Sequence, residues 1–264
     1  MTSIYQQACN EIFQVLDALT EEDRSRITVT VSFIEVAGEE VHDLMNNFTT
    51  VQLAPGNDES TFHAYPIVEP TVDSAEGLFS LIMYCCGSRA TAATGVHDAS
   101  SRSHAVLRIY IRKTIPSNSR QASFANRYNQ VQDTVVEGVV TLVDLAGSEH
   151  KIDSMYHSAE RRKEGAEINA SLMTLKECIR IQGLVKNPAK AQKYNHIYRK
   201  SKLTKVLKGS FVLPNASTHI IATVSPASKD TEHSLNTLRH ASLMMSKNSG
   251  KEEEDEETRF ITGV

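Results

Sequence analysis

The chain has 264 residues, with 28 Lys+Arg against 32 Asp+Glu and 40% hydrophobic residues, enough apolar material for the core of one large domain or two small ones and too much for a disordered chain. No uninterrupted apolar run approaches the ~18–20 residues that cross a bilayer, and the first residues lack a basic stretch followed by an apolar one, which argues against a membrane or secreted protein. The four cysteines, Cys9, Cys85, Cys86 and Cys178, form no C-x-x-C pair and suit a reducing, cytosolic compartment.

In chain order, Ile12, Val15, Leu16 and Leu19 recur at the spacing of one helix face over residues 4–19, and Glu21-Glu22-Asp23 reads as the turn that follows. Ile27, Val29, Val31 and Phe33 alternate with Thr28, Thr30 and Ser32, predicting a strand with one covered face, and a second alternating strand is expected near Ala105 to Ile111. The runs Val139 to Val143 and His219 to Val224 are short, continuous and rich in β-branched residues, as in strands buried on both faces. Between them Ile168, Leu172, Leu175 and Ile179 mark the apolar face of a helix ending near Gly183. From Ser201 to Gly209, Leu203, Val206 and Leu207 mark an inner helix face, Lys202, Lys205 and Lys208 are expected to point outward, and Gly209 suits a C-terminal cap. A last helix is expected to bury Leu235, Leu238, Ala241, Ser242 and Met245. The fold class is therefore α/β, with a globular part over 1–247 and a disordered acidic tail over 248–264.

The charge is unevenly spread. Residues 252–264 hold six acids, Glu252 to Glu257, and one base, Arg259; removing them from the 28 bases and 32 acids leaves 27 and 26. From Lys176 to Lys208 there are ten Lys/Arg and one acid, Glu177, a density that favours an acidic partner. The bland reading of the same run is a solvated helix face plus a basic loop.

Two short stretches carry chemistry. Asp144-Leu145-Ala146-Gly147-Ser148-Glu149 follows the most apolar expected strand, where a carboxylate can hold Mg²⁺ through water and a glycine lets a backbone N–H approach a phosphate. Taken alone, Asp-x-x-Gly is more often a strand-ending turn. Ser100-Ser101-Arg102-Ser103-His104 precedes another strand; its hydroxyls suit Mg²⁺ or phosphate and its arginine suits an acid, whereas the bland reading is a polar turn.

Together, S-S-R-S-H followed by L-V-D-L-A-G-S-E resembles the switch I and switch II motifs of the kinesin motor domain. The resemblance extends to Ser32-Phe33-Ile34-Glu35-Val36 with Glu39 to Leu44, to Glu164-Gly165 through Ile168-Asn169-Ala170-Ser171-Leu172 and Leu175, to Tyr198-Arg199-Lys200-Ser201-Lys202-Leu203-Thr204, and to Ser225-Pro226 with Leu235 to Ala241. It implies a P-loop NTPase-like motor fold with a mostly parallel or mixed sheet flanked by helices. His97, Lys200 and Gly38 stand where the family pattern has Asn, Asp and Asn. No G-x-x-x-x-G-K-[ST] phosphate loop occurs in the 264 residues, so the chain is expected to be the carboxyl-terminal two thirds of a motor domain, without its first strands.

The resemblance further implies a microtubule motor that uses ATP and Mg²⁺, with turnover by this chain in doubt. Ser103 would ligate Mg²⁺, Asp144 would hold it through water, and Ser100, Ser101, Ser103 and Gly147 would contact phosphate. Arg102 and Glu149 would pair across the switches, with Glu149 taking a proton through water. Lys151, Arg161, Arg162, Lys163, Arg199, Lys200, Lys202 and Lys205 would face the microtubule. The implied setting is cytoplasmic and cytoskeletal, with no nucleic-acid or membrane partner. Two alternatives stand beside this reading: a microtubule-binding module without nucleotide turnover, or an incomplete, non-functional fragment. An unrelated GTPase or kinase is disfavoured by the lack of N-K-x-D, H-R-D and D-F-G motifs.

Overall fold

The computed structural model of the protein describes residues 3–56, 60–91, 102–116, 133–147, 159–184 and 194–242. In chain order the elements are α1 (Ile4–Asp17), α2 (Glu21–Ser25), β1 (Ile27–Ala37), β2 (Glu40–Asp43), β3 (Thr49–Thr50), β4 (Gln52–Pro55), β5 (Phe62–Tyr65), β6 (Thr71–Val72), α3 (Ala75–Thr91), β7 (His104–Ile115), β8 (Thr134–Asp144), α4 (Ala159–Leu184), α5 (Lys202–Val212) and α6 (Thr231–Ser242). They divide into two units, residues 1–51 with 66–147 and residues 52–65 with 148–264. No helix among the described residues is long and apolar enough to cross a membrane.

The first unit is built on a sheet of order β3-β2-β1-β7-β8, with β6 also on β1. The class is α/β as expected; each described strand pair is antiparallel. Val29, Val31 and Phe33 share a face with Leu107 and Ile109 of β7, and helices α1 and α3 cover it with Cys9, Phe13, Leu16, Leu78, Ile82 and Cys85. The strand expected to have one covered face is buried on both, since Thr30 and Ser32 are also buried. As the central strand, β1 has neighbours along both edges, and Thr30 Oγ1 accepts a hydrogen bond from Arg112 Nη1 at 2.7 Å, so its burial leaves the hydroxyl partnered.

Local details depart from the periodicity. The buried face of α1 is Cys9, Phe13 and Leu16, whereas Val15 is 65% exposed and Leu19 lies beyond the helix. Phe13 and Val15 point to nearly opposite sides, and the larger ring takes the core. Glu21 to Asp23 form the first turn of helix α2 and not a plain turn: Thr20 accepts from Asp23 N at 3.2 Å, and three acids suit the positive end of the dipole. Gly38, between β1 and β2, has φ 57°. Asn and Gly are the residues that best tolerate this left-handed backbone, so the exchange of Asn for Gly keeps the turn.

The two runs expected to be buried strands are corrected. Val139 and Val143 of β8 are 47% and 37% exposed, and residues 219–224 form no strand, with Ile221 and Val224 exposed. A strand buried on both faces needs ladder neighbours and covering layers. β8 is the last strand of its sheet among the described residues, and no described strand pairs with 219–224. For the same reason Leu235 and Leu238 of α6, expected inside, are exposed; Ser242 is exposed too, and Met245 lies outside the described residues, as does the acidic tail.

In the second unit α4 buries Ile168, Leu172, Leu175 and Ile179, the expected stripe, together with Cys178 and Ile181. α5 starts at Ser201, whose hydroxyl accepts from Thr204 N at 3.1 Å, and buries Leu203, Val206, Leu207 and Phe211. Lys208 does not point outward: it is 1% exposed, its ammonium 5.9 Å from the Phe62 ring centroid on the β4–β5 hairpin. Gly209 is no cap, because the helix continues to Val212; a Cβ there would meet Thr61 Cγ2 at 3.2 Å, so the glycine admits the hairpin.

Asp43 ties the first unit's turns together. Fully buried, its carboxylate accepts from Met45 N at 2.9 Å and from Val68 N at 2.8 Å. Asp43→Ala leaves two amides without that acceptor and is expected to cost roughly 2–4 kcal/mol in a urea titration; a loss under about 0.5 kcal/mol, the range of a neutral surface change, would contradict this role.

Candidate functional site

The ladder itself gathers the acidic end of the site. Glu35 of β1 stands opposite Ala105 of β7, and Ala105 stands opposite Asp144 of β8, so the carboxylates flank Ala105 in one row on one face. The small alanine leaves room between them, and Arg89 near the end of α3 fills it. Arg89 Nε lies 3.1 Å from Glu35 Oε1, and Arg89 Nη1 lies 3.1 Å from Asp144 Oδ2. Arg89 Nη2 also donates to the carbonyl oxygen of Ser103 and, at 3.1 Å, to its hydroxyl. Arg89, Glu35 and Ser103 are buried, whereas the Asp144 side chain is 60% exposed.

Ser103 is the pivot. Its hydroxyl donates to Glu35 Oε1 at 2.5 Å and accepts from Arg89 Nε at 3.3 Å as well as from Nη2. One donor and two acceptor sites are all that a hydroxyl has. Next to it, His104 is 2% exposed, and its Nδ1 accepts from Ala146 N at 3.0 Å, joining the start of β7 to the turn after β8. The accepting Nδ1 places the proton of the neutral ring on Nε2. Burial, seconded by the Arg89 charge and opposed by Asp144, pushes the imidazole down to about 4.

Of the expected switch residues, the structure therefore brings Ser103 and Asp144 together on one guanidinium. Gly147 is exposed just beyond Ala146, and Arg102 is half-buried before Ser103. Ser100, Ser101 and Glu149 lie outside the described residues, and with them the expected Arg102 to Glu149 pair. Three members were missed as functional: Arg89, Glu35 and His104. The available signal was Glu35 itself, an acid in phase with Val29, Val31 and Phe33 on a covered face, since a buried carboxylate needs a cation.

The fit to Mg²⁺ and nucleotide can be judged from this donor set. Asp144 presents an exposed carboxylate suited to a water-mediated ion, but the Ser103 oxygen has no lone pair left in this arrangement. The 264 residues also contain no phosphate loop. As arranged, the described residues do not fit Mg²⁺ with a triphosphate.

The expected cationic set lies in the second unit. Arg199 ends the helical turn Ile197–Arg199, which is anchored by buried Ile197 and Tyr198, the latter's ring 6.1 Å from Phe211. Arg199 and Lys200 are exposed, Lys202 and Lys205 half-buried on α5, and Lys163 is exposed on α4. Lys200 Nζ lies 3.2 Å from Glu177, and Lys163 Nζ 3.9 Å from Glu167. Lys151 lies outside the described residues; Arg161 and Arg162 fall within α4, but their side chains are outside the description.

A family model described as kinesin motor domain matches residues 1–246. The chain is 37% identical over 239 residues to Kinesin-like protein KIF24 of Homo sapiens, covering 90% of this chain and 15% of that protein. It is 35% identical over 221 residues to Kinesin-like protein KIN-13B of Arabidopsis thaliana, covering 83% and 29%. The solved structure of a fast kinesin, described with implications for ATPase mechanism and interactions with microtubules, matches with a TM-score of 0.71 and 26% identity over 92% of this chain and 62% of that one. The chain spans less than two thirds of the length of each of these proteins.

Replacing Arg89 by Met strands the Glu35 charge in the interior and is expected to cost about 3–5 kcal/mol near neutral pH. Arg89→Lys should recover only part of this, since an ammonium cannot span the same acceptors; full recovery in denaturant titrations would contradict the forked geometry. The His104 shift has a definite sign. Between pH 6.5 and about 4 the unfolded chain takes a proton that the folded imidazole refuses, so the stability held above 6.5 is lost as pH falls towards 4. His104→Gln should flatten this part of the stability profile relative to the unaltered chain, and an unchanged slope would refute it.

Proposed function

The chain belongs to the kinesin motor domain family, and we propose that its function is microtubule binding by the filament-facing part of such a motor. The observation that carries this reading is the cation-rich segment Lys176 to Lys205, nine Lys/Arg against one acid once the buried Lys208 is left out, with Arg199 and Lys200 exposed on a turn held by buried Ile197 and Tyr198. Lys163, Lys202 and Lys205, together with Lys151, Arg161 and Arg162, extend the proposed contact. The microtubule surface is acidic, so the attraction is long-ranged and salt-sensitive. A cytoskeletal location follows from that partner, and the acidic residues 252–257 compete with it for the same cations.

Family membership implies ATP and Mg²⁺ as the group's cofactors. Turnover by these 264 residues is not part of the proposal. The saturated Ser103 hydroxyl favours the reading of a binding module in which the Arg89 cluster holds the two switch segments together. Ser100, Ser101, Gly147, Arg102 and Glu149 are then proposed as the family's phosphate-contacting and switch-linking positions, without a catalytic step in this chain.

Co-sedimentation with microtubules is expected to show binding that weakens about tenfold or more between ~0.05 and ~0.2 M salt. Arg199→Glu and Lys202→Glu should each weaken it about three- to tenfold at low salt, and deletion of residues 252–257 should tighten it. Binding indifferent to salt and to both reversals would refute the proposal. Microtubule-stimulated phosphate release should stay at background; turnover that is abolished by Glu149→Ala would favour an active motor instead.

A further inference from the structure

Lys200 stands where the family pattern has Asp, and the turn that leads to it meets α4 at an acid. That acid, Glu177, is the only one from Lys176 to Lys205. Lys200 Nζ lies 3.2 Å from Glu177 Oε2, although the two residues are 23 positions apart in the chain. The charge reversal in the motif thus falls on the residue that faces the one acid of the cation-rich segment. An aspartate at 200 would set two carboxylates against each other, and like charges that close repel. The turn itself is short: Arg199 N donates to His196 O at 3.2 Å and Lys200 N to Ile197 O at 3.1 Å. Buried Ile197 and Tyr198 hold its inner side, and the Lys200 to Glu177 pair ties its outer side to α4.

We propose that Lys200 is a positioning residue for filament binding: anchored on Glu177, its ammonium straps the turn Ile197–Arg199 to α4, fixing Arg199 relative to the cations of that helix. The strap also covers the one acid of the segment that an acidic surface would meet. This rests on the microtubule reading and deepens it, because Lys200 counted there only as one more cation. A free cation acts through its charge wherever it stands on the face, whereas a strap acts only with its partner. Holding a contact side chain in place beforehand leaves less ordering to be done on binding. The two side chains are 49% and 32% exposed, so the pair adds little to global stability and its effect is local.

Co-sedimentation with microtubules at low salt and amide hydrogen exchange without them test this together. Lys200→Asp should weaken binding about fivefold or more and speed exchange of the amides at 199 and 200. Lys200→Ala removes the anchor without adding a second carboxylate, and should speed the same two amides by a smaller factor. Adding Glu177→Lys to Lys200→Asp rebuilds the pair with its charges exchanged, and should return both readouts to within about twofold of the unaltered chain. Adding Glu167→Lys instead restores the same net charge on the same helix, about 15 Å from Glu177, and should restore neither. Recovery by Glu167→Lys as complete as by Glu177→Lys, no recovery by Glu177→Lys, or exchange at 199 and 200 that both substitutions of Lys200 leave unchanged would each overturn the proposal. Failure of the unaltered chain to bind filaments would refute the microtubule reading, and the exchange measurements then decide the strap by themselves.

Discussion

One guanidinium holds the switch end of the first unit together. Arg89 reaches from α3 to Glu35 on β1, to Ser103 before β7 and to Asp144 at the end of β8. A buried arginine is costly to desolvate, and that cost is offset only when its forked N–H groups meet charged acceptors in good geometry. Here the geometry is set in advance by the sheet register, which puts Glu35 and Asp144 on either side of a small Ala105. The helix, three strands and two motif-bearing turns then share one polar centre beneath an apolar core of Phe33, Leu107 and Ile82.

The same cluster bears on function. A hydroxyl that serves Glu35 and Arg89 at once is committed to the protein, so the segment around Ser103 is organised by internal charge. His104 adds a neutral ring that accepts from Ala146 N, tying the Asp144 to Gly147 turn to the same point. The cations proposed to meet a filament lie in the other unit, on α4, α5 and the turn at Ile197–Arg199, where buried aromatic and aliphatic side chains set the backbone that carries them. The proposed binding and the Arg89 cluster thus rest on different interactions, which lets one be assayed without the other.

How much of this could be read beforehand depends on whether a residue's environment is local. The stripe Ile168, Leu172, Leu175 and Ile179 was legible because a helix face needs only its own sequence, and all four are buried. The motifs around Ser103 and Asp144 were legible as spacing. Strand burial was not, since Val139 and Ile221 are apolar whatever lies beside them, and the described neighbours decide their exposure. Lys208 and Gly209 were misread because the β4–β5 hairpin that packs on them is distant in sequence. Arg89 escaped notice for a similar reason: its partners are 14, 54 and 55 residues away, and only the buried Glu35 hinted at a missing cation.

The central claim is that Arg89 and Glu35 act as a single unit, and a double-mutant cycle addresses it directly. Stability would be measured by denaturant titration for the unaltered chain, Arg89→Met, Glu35→Gln and the double substitution. The account predicts a coupling of about 2–3 kcal/mol, with the double substitution much less damaging than the two single losses combined. Additivity within ~0.5 kcal/mol would contradict it, showing that the guanidinium and the carboxylate contribute independently.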